Sequence, residues 1–191
     1  MEITGRVTLE GVLVLSAFDG AMKVFSRCCE VDRITGERRG SVEPVPEKAF
    51  REAAANALVH RTWDVNQYIQ IGMFREKIEI TSPGSLPEEL SREDYLRGRV
   101  SVLRNLFLAG VFARPGIIES FGIRRINACC KSSLRKPEFE VYDNSVTVIF
   151  PRLASERALG FGKDVVAGVM SPHKIMTRAG HTVCAVRLTS L

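Results

Sequence analysis

The chain has 191 residues, a net charge of +5 and 45% hydrophobic content, which suits one ordinary domain with a real core, or one domain plus a small appendage. No stretch approaches the roughly 20 apolar residues of a membrane span. The longest apolar run, residues 11–25, is broken by Asp19 and Gly20 and lacks a signal peptide's charged start and cleavage site. The expectation is therefore a soluble cytoplasmic protein with no membrane partner. The mild basicity permits contact with nucleic acid or nucleotide phosphates without demanding it.

The cysteines stand as Cys28-Cys29, Cys129-Cys130 and Cys184. Adjacent cysteines bridge each other poorly and no C-x-x-C spacing occurs, so neither a zinc site nor a disulfide framework is expected. Reduced, buried thiols are the plain reading.

Apolar residues from Val7 to Phe25 recur close to helical spacing and predict a helix over 7–27, distorted near Gly20. "DRITGERRGSVEPVP" then alternates around Gly36 and Gly40 as an extended or hairpin segment. Pro46 and Glu47 suit the start of a helix running through "FREAAANALVHRTW". "QYIQIGMF" and "KIEITS" alternate with period two across a short connection and predict an antiparallel hairpin. "SPGSLP" is a turn, "PEELSREDYLRG" a short polar helix or lid-like loop, and "SVLRNLFLAGVFARPG" a helix. "IIESFGIRRINACCKSS" is another helix, interrupted near Gly122. "PEFEVYDNSVTVIFP" closes the series as a hairpin turning at Asp-Asn.

This order predicts an α+β fold, a two-layer α/β sandwich with helices on one face of a mixed, mainly antiparallel sheet. We divide the chain into a leading helix and extended hairpin (1–45), the main domain (46–151) and a weakly patterned tail or remnant of a following module (152–191).

The helix at 50–63 holds the most informative pattern. On a wheel of about 100° per residue, Phe50, Ala54, Ala57 and Leu58 share one face, while Glu52, Asn56 and His60 rise at steps of four on the other. Two unlike faces, both poor in long charged side chains, predict cover on both sides. A Glu and an Asn one turn apart suit phosphate–metal chemistry: an amide oxygen can ligate Mg²⁺, and the carboxylate can orient or deprotonate a water. The same spacing also arises on solvated helices, and a histidine near a helix end often only caps or packs.

Five segments in order, "PEKAFREAAANALVHRTW", "IQIGMFREKIEITSPGSLPEEL", "LRNLFLAGVF", "GIIES" and "FGIRRI", give the context. Over roughly residues 46–150 they resemble the C-terminal ATPase-like domain of transcriptional regulators related to the RecG-type ATP-dependent DNA helicase. That domain is similar to the GHKL (Bergerat) ATPases. The resemblance implies helices and a lid enclosing ATP and Mg²⁺ on one face of a sheet. It implies Glu52 as the water-orienting base and Asn56 as the Mg²⁺ ligand. Ser82 and Gly84 would stand at the adenine loop and Gly122 at the phosphate loop, with His60, Arg104 and Asn105 as further nucleotide-binding positions. DNA would be engaged through an attached domain of a longer protein, of which this chain is a fragment or truncated product, and a homodimer is possible.

The chain departs from the pattern at the ligand face. Ser82 replaces the adenine-binding aspartate of the wider group. Glu119-Ser120-Phe121-Gly122 runs straight into Ile123-Arg124-Arg125-Ile126, without the small residue and second glycine that let a backbone cradle phosphates. The usual R-N-P and H-R-D-Y read Arg104-Asn105-Leu106 and His60-Arg61-Thr62-Trp63. Three functions compete. One is a nucleotide-binding regulatory domain with a degenerate site and weak ATPase activity at most; another is a non-catalytic dimerisation or interaction scaffold. The third is a DNA-binding accessory domain resting on Arg97, Arg99, Arg104, Arg124, Arg125, Lys131, Arg135 and Lys136. A helicase is excluded by the missing Walker-type loop.

Overall fold

In a computed structural model, the described residues are 9–34, 45–74, 76–100, 102–113, 122–131, 133, 135–152, 177–178 and 181–186. The elements in chain order are α1 (Leu9–Ile34), α2 (Glu47–His60), β1 (Ile69–Met73), β2 (Lys77–Pro83), α3 (Arg92–Arg97), α4 (Leu106–Ala113), α5 (Ile123–Cys129), β3 (Glu138–Val141), β4 (Ser145–Pro151), β5 (Thr177–Arg178) and β6 (His181–Val186). This is the expected α+β arrangement, and every strand pairing among the described residues is antiparallel.

The sheet is six-stranded, in the order β3-β4-β2-β1-β6-β5. Its centre is the β1–β2 hairpin, registered with Ile71 opposite Ile80, and β4 lies along β2 with Val148 opposite Ile80. Alternation explains the packing: Ile78, Ile80 and Ser82 of β2 are buried, while Lys77, Glu79 and Thr81 are not. Thr81 and Thr147, paired on the opposite face, share a hydroxyl hydrogen bond of 2.9 Å. Beyond Pro151, where the sequence shows no clean period, β6 joins the free edge of β1.

The core is continuous from the sheet into the helices. Alanines make α2 thin, so it is buried nearly all round, as the double-faced pattern predicts. Phe25 of α1 stacks on Phe50 of α2 at 4.3 Å between ring centroids, and Phe18 meets Phe112 of α4 edge-on at 5.2 Å. Burying each such ring contributes on the order of 2–3 kcal/mol.

Three local readings are corrected. α1 runs unbroken through Gly20 to Ile34, so Asp32-Arg33-Ile34, expected to be extended, are helical. Gly20 is buried; a residue without Cβ suits close packing there and does not break the helix. α4 begins only at Leu106, because the Asn105 side chain accepts the Leu108 N–H at 3.0 Å and fixes the start as a cap. The remainder of the expected extended segment, 35–44, and the Glu119-Ser120-Phe121 stretch lie outside the described residues.

Candidate functional site

A cavity of about 470 Å³ opens between α2, the ends of β2 and β4, the segment from Gly84 through α3 to Val102, and α5. That volume is in the range of small-molecule sites. Its walls are mainly apolar, including Ile80, Leu86, Leu90, Val100 and Val148, and its charged side chains are Arg99, Arg124 and Arg125. Among the described residues, no Asp or Glu lines it. Asn56, His60, Ser82, Gly84 and Gly122 do line it, so the structure gathers sequence-selected positions from three distant segments. Glu52, Arg104 and Asn105 do not.

At the sheet end, backbone hydrogen bonds build the wall. Thr62 N–H donates to the Pro83 carbonyl at 3.1 Å, and Gly84 N–H to the Asn144 carbonyl at 2.8 Å. Gly84 has φ +114°, and a Cβ there would lie 2.6 Å from Thr62 Cβ, so only glycine fits without displacement. Arg104 lies behind this wall. Its guanidinium donates to Thr62 Oγ1 and, at 2.9 Å, to the Ser85 carbonyl. Ser82 Oγ donates to the Ala57 carbonyl at 2.9 Å, tying β2 to α2. The Ser82 hydroxyl thus serves the helix–sheet junction.

His60 closes the same end. Burial, then the nearby Arg104 guanidinium, lowers its pKa from 6.5 to about 4, against a hydrogen bond to the Val102 backbone that acts the other way. At neutral pH the imidazole is uncharged. Tyr95, on α3, has its phenol pushed up to about 12 by burial and stays protonated.

The opposite end is held by side chains. Asn56 Oδ1 accepts the Gly122 N–H at 3.1 Å. The Asn56 amide nitrogen is buried and has no hydrogen-bond partner among the described residues. Glu52 is 5% exposed and pairs with Arg125, Oε1 to Nε, at 3.6 Å. The carboxylate is thus tied to α5, and Glu52 is not one of the residues lining the cavity. Gly122, at φ 110°, gives the turn into α5 that brings its N–H onto Asn56.

By sequence, Arg99, Arg124 and Arg125 belong to a solvated or DNA-facing charge set; the structure puts all three on the cavity wall. The advance signal is the Arg124-Arg125 pair, which follows Gly122 after the single residue Ile123 and so stays close to whatever Gly122 borders. Of the other cations considered for DNA, Arg97 pairs with Glu93, Arg104 is bonded as above, and Lys136 donates to the carbonyls of Cys130 and Lys131. Cys129 and Cys130 form no disulfide, and burial raises the Cys130 thiol pKa. No group of His, Cys, Asp and Glu among the described residues could hold a metal ion, and no described helix is long and apolar enough to cross a membrane.

An α+β layer with an arginine-bearing cavity bordered by the short helix α3 is the class that fold and site define. Within it, residues 66–150 match the family model described as "Putative ATP-dependent DNA helicase recG C-terminal". It is the family that the sequence resembles. The match takes in Ser82, Gly84, Arg104, Asn105 and Gly122 and leaves α2 outside. Among solved structures, the chain is similar to the DIP2311 protein from Corynebacterium diphtheriae, with TM-score 0.51 and 20% identity over 68% of this chain. The likeness is one of fold, and the chain spans 27% of that protein's length. No curated protein matches the chain.

Proposed function

We propose that this chain carries a nucleotide-binding regulatory domain whose site is degenerate, binding its ligand with weak turnover at most. The observation that carries this reading is the cavity itself. Its apolar wall suits a base and ribose, and its charged side chains are arginines, the natural partners of phosphate oxygens. Degeneracy is supported by Glu52: a buried carboxylate paired with Arg125 that does not line the cavity is poorly placed to take a proton from an attacking water. In a longer protein, ligand occupancy would bias an attached DNA-binding module and so transcription, as the family resemblance suggests. Calorimetric titration of the full chain with ATP tests the reading. Saturable binding with little phosphate release is expected, and no heat at millimolar ATP overturns it.

A second reading, an interaction scaffold, is favoured by one observation. On α4, Leu106 and Phe107 are 74% and 49% exposed. Sedimentation of the wild type against Leu106→Lys tests it: association that the substitution abolishes supports the scaffold, and a monomer at all concentrations removes it.

A further inference from the structure

We infer that the cavity takes its nucleotide without a divalent metal, the phosphates being met by the Asn56 amide nitrogen and the guanidinium groups of Arg99 and Arg124. This rests on the nucleotide reading above and goes beyond it by naming the form of the ligand.

Polarity at Asn56 comes first. Mg²⁺ takes oxygen ligands, so a metal-binding asparagine must turn its carbonyl oxygen to the site. Here Oδ1 already accepts the Gly122 N–H at 3.1 Å, and what the side chain has left to offer is the buried, unpartnered NH₂. A buried donor of that kind is costly to leave unmatched and seeks an acceptor such as a phosphate oxygen. The residue is therefore set as a donor to an anion and not as a ligand to a cation.

Charge points the same way. The carboxylate one turn away, Glu52, is paired with Arg125 and does not line the cavity, which has no acidic lining residue among the described residues. Among the described lining residues a divalent cation would meet guanidinium groups and no carboxylate, an arrangement that repels it. Arg99 and Arg124 make no ion pair or hydrogen bond from their side chains to any described residue, so both are available to phosphate. Two guanidinium groups supply the positive charge that Mg²⁺ supplies in a metal-dependent site. The residues present thus suit a nucleotide and do not suit its metal.

Titration of the full chain with ATP, once in EDTA and once in excess Mg²⁺, tests the inference. Affinities within about twofold of each other, or tighter in EDTA, are expected. Arg124→Ala and Arg99→Ala each remove a charge-assisted contact and should weaken binding about tenfold in both conditions. Asn56→Asp keeps an acceptor for the Gly122 N–H and replaces the donor by a carboxylate. It should weaken binding about tenfold in EDTA, with no recovery in Mg²⁺. Binding that disappears in EDTA, or an Asn56→Asp protein rescued by Mg²⁺, overturns the inference while leaving the nucleotide reading intact. Absence of binding in both conditions overturns the two together.

Discussion

The two ends of the cavity are built on different principles. At the sheet end, the wall around Gly84 is made of backbone hydrogen bonds, from Thr62 to Pro83 and from Gly84 to Asn144, with Arg104 bracing it from behind. At the α5 end, the Gly122 N–H rests on the Asn56 side chain, and Arg125 rests on Glu52. Backbone bonds in a sheet margin have no other task. The side-chain contacts are made by the very groups that the family resemblance assigns to metal and water. One end of the pocket is closed by backbone hydrogen bonds, and at the other polar side chains hold α5 to α2.

The largest test of this contrast is Gly84→Ala. The new Cβ would sit 2.6 Å from Thr62 Cβ on a backbone of φ +114°. Strain and overlap together should cost about 3 kcal/mol, read as a lower midpoint in urea denaturation. A loss under about 0.5 kcal/mol, the size typical of unconstrained surface changes, would mean that this wall is soft.

Arg125→Ala probes the other end. It removes the cation facing Glu52, whose side chain is 6% exposed. Breaking a fully buried pair costs about 3–5 kcal/mol. Arg125 is 34% exposed, so solvent screening brings the expected loss down to about 1–2 kcal/mol. Unchanged stability would show that the pair does not hold α2 to α5.

These elements also show what was legible in the sequence. The β1–β2 and β3–β4 hairpins were readable because strict alternation over short runs is the mark of half-buried strands. The short polar helix was readable from its punctuation: Ser91 accepts the Asp94 N–H at 3.1 Å, and Gly98 ends α3 at φ 63°. The polar stripe of α2 was readable as a face, and Asn56 and His60 do reach the cavity. What spacing could not convey is the partner each group finds. Glu52 meets Arg125, Asn56 meets Gly122 and Ser82 meets Ala57 across long loops, and periodicity carries no record of such pairings. The same holds for Asn105, whose side chain caps α4 although its motif suggested a ligand.

Acid is the next probe. His60 has a pKa of about 4 in the folded chain against 6.5 for the ordinary side chain. As pH falls below 6.5, the unfolded chain takes up a proton that the folded one refuses. This contribution to stability is therefore complete above 6.5 and is lost progressively down to about 4. Between neutrality and pH 5 it should remove on the order of 1–2 kcal/mol. Urea titrations of wild type and His60→Gln across that interval would show a shallower slope in the variant, and equal slopes would place the acid sensitivity elsewhere.

The smallest effect is also the most local. Arg104 is the second cause of the low His60 pKa, after burial, and it braces the Gly84 wall through Thr62 and the Ser85 carbonyl. Arg104→Gln removes the charge while leaving an amide that can still donate to one of these acceptors. The imidazole, relieved of a neighbouring cation but still buried, should titrate higher than about 4 and still below 6.5. Stability should fall by about 1 kcal/mol or less, since one charge-assisted hydrogen bond is replaced by a neutral one. Imidazole resonances followed by NMR against pH separate the two contributions. A full return to 6.5 would mean that the variant has opened the sheet end to water, so that the backbone wall depends on Arg104. A partial shift would mean that Pro83, Gly84 and Asn144 hold that wall by themselves, as the contrast between the two ends requires.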